Sequence, residues 1–461
     1  MKKIPLRYKL LFLFILLLPM TSLGRLEVIK PSEIVMMGLI LIYFFRFTMQ
    51  KTVDSKRGTP VLTGYLLFFV FYLALTSIIS PAIPEEVYTY EWYKGIFDEN
   101  LNLFYLLRII FLVMVYYVLM EMINKYEHLI LAIKFIVIST IICFIMVFIV
   151  GLIKPGTVFW QAEHEWALVP LRLKGFSSEP NSFCAWLYSV FFLFLTLSTY
   201  RREAFGVSQK FIRFFTGVLW VCLILTFSTA GYLAIFLGCL VFFHIKKSFY
   251  RKVIRRDISL KAIRIMGIVS LIVIINLILW NHPLAVILRN VIGKIQVTAT
   301  ITQTDPRSIL LATNINTFLH YPLFGVGVGR SAYFAGAFYP FGSYSPLFNP
   351  EKSSFRSLCT YTLFLCETGI VGFVMLCVVF IKLLKYCRYK NLNLRGKIIS
   401  LYVLPSLATF MVGMLGSGDI QYQLYFVLTL VVLIKNYQMN RLQNSVTNEK
   451  TWGNKIGSQI K

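Results

Sequence analysis

Acidic and titratable side chains are scarce in this chain. Its 461 residues hold 20 Asp and Glu and only 5 His, against 46 Lys and Arg. Charged residues reach 14%, well below the roughly 25% of a soluble domain. That excludes an ordinary soluble core. The 8 cysteines (143, 184, 222, 239, 359, 366, 377 and 387) form no CxxC pair, and nearly all fall inside apolar runs. Neither a disulfide framework nor a zinc site is supported by that placement. They read as small apolar fillers of helices.

What the chain has instead is apolar length. It is 57% hydrophobic, with 41 Phe, and runs of about 20 apolar residues, the length of a membrane span, recur to about residue 435. Leu10 to Met20 follows a basic start, as a signal peptide would. No small-residue cleavage site follows and further spans do, so it reads as a first transmembrane helix. The expectation is an all-α, polytopic bundle forming one integral membrane domain over 1–461. About twelve spans are predicted near 9–23, 33–49, 60–80, 101–121, 128–152, 182–200, 211–227, 230–245, 262–281, 357–381, 398–416 and 420–435. Each should be helical, because lipid satisfies no backbone polar group.

The net charge of +26 raises the question of nucleic acid, and its distribution answers it. With the N-terminus in the cytoplasm, alternation puts "KRG" (56–58), "RRE" (201–203), "KKSFYRKVIRR" (246–256), 382–397 and the basic tail 436–461 inside. With the N-terminus and the short 122–127 loop, those segments take most of the Lys and Arg, while the outer loops near 24–33, 81–100, 154–181 and 282–356 are close to neutral. This is the positive-inside pattern with both termini cytoplasmic. The basic charge is an orientation signal and a contact for anionic membrane lipids, with no nucleic-acid partner expected. The outer segment 282–356 is far longer than a usual connection, so a structured, functional loop is expected there.

Within that loop lies "DPRSILLATNINTFLHYPLFGVGVGR" (305–330). Ile309, Leu310, Ile315, Phe318 and Leu319 are spaced as on a helix, and Tyr321-Pro322 with Gly325, Gly327 and Gly329 marks a turn. An amphipathic helix lying at the outer interface fits. GVGVG lacks the preceding strand and the spacing of a dinucleotide fingerprint. Two charges sit inside apolar runs, Arg108 in the fourth span and Glu367 in the tenth. Both should face the protein interior, Arg108 lining an outward cavity or held in an ion pair, Glu367 holding a helix or a partner arginine.

Four segments resemble one family. "RLKGFSSEPNSFCAWL" (172–187), "LTFSTAGYLAIFLG" (225–238), "PRSILLATNINTFLHYPLFGVGVG" (306–329) and "YTLFLCETGIVG" (361–372) are similar, in order and spacing, to elements of the O-antigen ligase and polymerase superfamily. The resemblance covers roughly 165–435. In the ligase branch a His-Asn pair stands nine and eight residues before the glutamate of the last element; here Leu358 and Cys359 occupy those places. The resemblance therefore leans to the polymerase-like branch. It implies a polytopic glycosyltransferase using an undecaprenyl-diphosphate-linked oligosaccharide. A polymerase moves the growing glycan onto the next lipid-linked repeat, and a ligase moves it to lipid A-core or another acceptor. A flippase and a chain-length regulator are the implied partners, on a bacterial plasma membrane. A transporter is the rival of another class, but the halves show no internal repeat.

For such chemistry the outer cations matter. An arginine offers planar, bidentate donors to a diphosphate leaving group, and several aimed at one point stabilise its developing charge. No cofactor or metal ligand set is expected. Arg172 and Arg307 are the leading clamp candidates, with Arg330, Arg356 and Arg108 behind them and Lys174, Asn181, Gly325 and Gly327 as further substrate contacts. The acceptor hydroxyl needs a base: Glu179 first, then Asp305 and His320, with His164 trailing. For Glu179 the competing role is capping, since Pro180 suits the first turn of a helix.

Overall fold

The computed structural model describes residues 5–20, 30–49, 62–82, 101–161, 171–177, 180–199, 208–226, 228–253, 306–334, 338, 359–414 and 424–441. The helices are α1 (Leu6–Leu17), α2 (Pro31–Met49), α3 (Thr63–Ile78), α4 (Leu101–Met122), α5 (Tyr126–Ile153), the one-turn α6 (Pro155–Val158), α7 (Pro180–Thr199), α8 (Gln209–Leu225) and α9 (Thr229–Val253). Then follow α10 (Pro306–His320), the short α11 (Ser331–Phe334), α12 (Thr360–Leu384) and α13 (Leu394–Gly413), and finally α14 over 424–441. Among the described residues, one antiparallel strand pair, β1 (Phe159–Gln161) with β2 (Leu171–Leu173), interrupts the helices.

This is a polytopic helical membrane protein. α4, α5, α12 with its 3-10 extension to Cys387, and α13 are long and apolar enough to cross a bilayer, and α2, α3 and α7 carry shorter apolar stretches. The expected span at 262–281 lies outside the described residues. Where the first span was expected over 9–23, α1 has 12 residues, Leu6–Leu17, about 18 Å at 1.5 Å per residue, against a hydrocarbon core of about 30 Å.

Helix starts follow the local chemistry. Pro180 opens α7, where its missing N–H costs nothing. The Ser208 hydroxyl accepts from the Phe211 amide at 3.3 Å to cap α8, and Asn393 Oδ1 accepts from the Gly396 amide at 2.8 Å to cap α13. The main core lies where α13 crosses α9 and α7. Gly238 of α9 permits the approach, since a Cβ there would stand 2.5 Å from Thr409 and 2.6 Å from Phe192. Rings from α5, α7 and α8 fill the adjoining layer, with Phe144 stacked on Trp186 at 5.6 Å and Phe194 against Phe215 at 4.9 Å.

A second layer joins α3, α4, α10 and α12. Helix α10 is built inside out. Its buried residues include Thr313, Asn314 and Thr317, while Ile315 is 40% and Leu319 66% exposed. The apolar spacing seen in the sequence is therefore not one buried stripe; it is divided between the core (Leu310) and the outer surface.

Contacts between helix ends sort the bundle into two poles. At one, the Tyr425 hydroxyl donates to the Leu18 carbonyl (2.5 Å), Ser177 Oγ to the Pro19 carbonyl (3.3 Å), Asn102 to the Ser77 carbonyl (3.2 Å), and the Thr360 amide to the Met414 carbonyl (2.9 Å). At the other, Gln209 donates to the Ser198 carbonyl at 2.6 Å and the Asn393 amide to Asn440 Oδ1 at 3.3 Å. The first pole carries the site.

Candidate active site

Arg172 sits in β2 opposite Trp160. The strand ends in a turn in which the Lys174 amide donates to the Val158 carbonyl at 2.9 Å and the Ser177 amide to the Lys174 carbonyl at 3.0 Å. Gly175 adopts φ +55 there, and a Cβ would stand 2.5 Å from the Phe183 ring. This turn delivers the chain into α7. The half-buried Arg172 guanidinium then reaches two separate segments. Its Nε donates to the Thr226 carbonyl at 3.0 Å, and Nη2 donates to Asn181 Oδ1 at 3.3 Å. Thr226 closes α8 and Asn181 opens α7, so one planar cation ties the β hairpin to two helix ends. The same corner is closed by Gly231, whose Cβ would fall 2.5 Å from Cys184 Sγ.

The second feature is a clasp between the glycine-rich turn and a broken helix. α12 is interrupted at Gly369, with φ 65 and ψ −172, a region essentially closed to other residues. The break exchanges backbone hydrogen bonds with the turn after α10. Val326 and Gly327 amides donate to the Cys366 and Glu367 carbonyls at 3.1 and 2.9 Å. In return, Ile370 and Val371 amides donate to the Pro322 and Leu323 carbonyls at 2.8 and 3.4 Å. The Tyr72 hydroxyl of α3 donates to the Thr368 carbonyl at 2.5 Å. The Cys366, Glu367 and Thr368 carbonyls and the Ile370 and Val371 amides are thus satisfied by protein, the condition for irregular backbone in a spanning helix. Gly325 and Gly327 have φ +69 and +94, and a Cβ on Gly325 would stand 2.5 Å from the Cys366 carbonyl oxygen. Both glycines expected to contact substrate are therefore needed for the clasp itself.

Two side chains complete it. The Ser331 hydroxyl donates to Glu367 Oε1 at 2.8 Å, with Glu367 only 3% exposed. Arg330 Nη1 donates to Ser80 Oγ, just past the end of α3.

The other expected residues are distributed as follows. Arg108 is paired with Glu33 at 2.8 Å and lies over the Phe104 ring at 5.2 Å; Glu33 Oε2 also accepts from the Lys30 amide at 3.0 Å. This is the ion-pair alternative for Arg108. Lys174 is half-buried in the β2 turn. Arg307 is the second residue of α10. Glu179, Asp305, Arg356, His164 and Leu358 lie outside the described residues. His320, exposed at the end of α10, places Nδ1 2.9 Å from the Asn316 carbonyl, its ring 4.4 Å from that of Phe338. A carbonyl only accepts, so Nδ1 is the donor in this contact, and a neutral ring bonded this way has its lone pair on Nε2.

Sequence reading missed Glu33, Tyr72, Ser80, Thr226 and Ser331. For Glu33 a signal existed: it is an acid near the start of an apolar run, as Arg108 is a base near the start of another. Tyr72 and Ser80 carried none, because a hydroxyl in an apolar helix has many uses.

Residues 214–377, which run from α8 through the break in α12, match the family model described as O-antigen ligase. This match supports the O-antigen ligase superfamily. The matched stretch contains Thr226, the α10 turn, Arg330 and Glu367; Arg172 precedes it. The matched domain supports an O-antigen ligase-like membrane glycosyltransferase. No curated protein matches the chain.

Proposed function

We propose that the protein is a surface-polysaccharide polymerase. It transfers an undecaprenyl-diphosphate-linked glycan onto a sugar hydroxyl of the next lipid-linked repeat, on the extracytoplasmic face of the plasma membrane. The observation that carries this reading is the Arg172 guanidinium, held by Thr226 and Asn181 where the hairpin, α7 and α8 meet. An arginine whose plane is fixed by protein acceptors loses little freedom on meeting a diphosphate.

In the transfer, the acceptor oxygen bonds to the anomeric carbon while the bond from that carbon to the phosphate oxygen breaks. The bonding pair leaves with the diphosphate, and the acceptor proton passes to a base. Arg172 and Arg307 are the groups proposed to supply positive charge to the departing oxygens, with Arg330 second in rank. Removing one such donor costs about 2.7–4 kcal/mol, roughly 10²–10³ in rate. Glu179 and Asp305 are base candidates by position, and His320 by its Nε2 lone pair. Lys174, Asn181 and Arg356 are proposed as further substrate contacts, and no metal or other cofactor is invoked.

Leu358 and Cys359, standing where the ligase branch has His-Asn, favour polymerisation. The description of the matching family favours the second reading, a ligase acting on lipid A-core or another acceptor. A deletion strain separates the two. Loss of a polymerase leaves single repeats on the acceptor, and loss of a ligase leaves polymer on the lipid carrier. Purified protein given a defined undecaprenyl-diphosphate oligosaccharide should make longer lipid-linked glycan, equally well with a chelator present. Absence of any product from active preparations would remove the proposal.

A further inference from the structure

Glu367 is buried in α12, a helix long and apolar enough to cross a bilayer, and an ionisable group in such a helix points by default to a functional role. Two of its contacts bracket a single residue. The carboxylate accepts from Ser331, immediately after Arg330, at 2.8 Å. The Glu367 carbonyl accepts from the Gly327 amide, three residues before Arg330, at 2.9 Å. Between these two grips the Arg330 amide donates back to the Gly327 carbonyl at 3.2 Å, and the Arg330 carbonyl accepts from the Tyr333 amide at 2.9 Å. The backbone at Arg330 is therefore fixed on both sides.

The far end of the side chain is fixed as well. Ser80 Oγ donates its proton to the Ser77 carbonyl at 3.0 Å, which turns its lone pairs toward Arg330 Nη1. A Cβ on Gly327 would sit 3.0 Å from Ser80 Cβ, so glycine is what lets the turn come down onto the end of α3. The result is a relay from Glu367 through Ser331 and Arg330 to Ser80.

We propose that Glu367 is a positioning residue for Arg330: through Ser331 it aims the guanidinium along the end of α3, the direction in which Arg330 serves the lipid diphosphate. The last clause rests on the glycosyltransferase reading; the aiming itself does not.

The test uses the full chain in nanodiscs and two readouts. The first is independent of transfer: the rate at which phenylglyoxal modifies Arg330, followed by peptide mass spectrometry. Glu367→Ala and Ser331→Ala should each raise that rate about tenfold, as loss of a buried hydrogen bond to a charged group allows. Glu367→Gln keeps an amide oxygen for Ser331 and should stay within about threefold of wild type. Ser331→Ala is small enough to fold where Glu367→Ala does not, and it reports on the same link. The second readout is transfer kinetics. Glu367→Ala should lower kcat about tenfold with little change in KM, the signature of an interaction realised in the transition state, and Glu367→Gln should restore most of it. Unchanged Arg330 labelling in Glu367→Ala and Ser331→Ala overturns the positioning role. Raised labelling together with wild-type transfer by Arg330→Ala upholds the positioning and refutes the part of Arg330 in the reaction.

Discussion

Replacing Gly369 by alanine tests the clasp, and its cost follows from two separate terms. The backbone there has φ 65 and ψ −172, which an L side chain pays about 1–3 kcal/mol to adopt. A Cβ would also press on the Leu323 carbonyl and the Phe324 amide. These are backbone atoms in the facing strand of contacts, so no side-chain rotation relieves the clash. Relief requires the turn to lift away, which loosens the hydrogen bonds of Val326, Gly327, Ile370 and Val371, each worth about 0.5–1.5 kcal/mol. Local opening should therefore become easier by at least about 3 kcal/mol, or roughly two decades in the opening constant. Amide hydrogen exchange in nanodiscs reads this directly, through faster exchange at those four amides with the α7–α9–α13 core unchanged. Gly217→Ala is the control, because a Cβ there meets nothing within 4 Å and alanine favours a helix by about 1 kcal/mol. Equal exchange at the clasp in wild type and Gly369→Ala would refute the argument.

Other outcomes follow from the same contacts. Arg108→Ala or Glu33→Ala alone should destabilise by about 3–5 kcal/mol by stranding a partly buried charge, and replacing both with apolar residues should recover most of it; thermal unfolding of the detergent-solubilised protein checks this. Tyr72→Phe removes one hydroxyl from the Thr368 carbonyl and should cost about 1 kcal/mol by the same measurement. His320→Gln should lower transfer about 10²–10⁴-fold if its Nε2 takes the acceptor proton, and leave it near wild type if Glu179 or Asp305 does; a pH–rate profile of each variant distinguishes them.

Much of this architecture was legible beforehand because lipid makes composition decisive. Apolar length marked the helices, and Pro322 with Gly325, Gly327 and Gly329 marked the turn after α10. The break in α12 was not legible. Gly369 lies in a continuous apolar run, and only the facing carbonyls of Pro322 and Leu323 show why the helix parts there. The same holds for α10: spacing identified a helix, but whether Ile315 and Leu319 face inward or outward depends on the solvent around it, which periodicity does not encode. Arg172 was singled out for its place between spans, yet the groups that fix its plane, a carbonyl at Thr226 and an amide oxygen at Asn181, come from distant segments. A main-chain acceptor leaves no trace in side-chain chemistry. Arg108 shows the reverse: its charge was conspicuous, and its partner Glu33 lay 75 residues away in sequence.

The central claim is that a fixed arginine at the meeting of the hairpin, α7 and α8 carries the charge of a departing lipid diphosphate. It is tested most directly by transfer from a defined undecaprenyl-diphosphate oligosaccharide to a second lipid-linked repeat, with wild-type protein, Arg172→Ala and Arg172→Lys compared in nanodiscs at matched protein levels. The account predicts a fall of about 10²–10³ in kcat for alanine, with lysine recovering only part of it because an ammonium lacks the planar fork. Wild-type turnover by Arg172→Ala would contradict it.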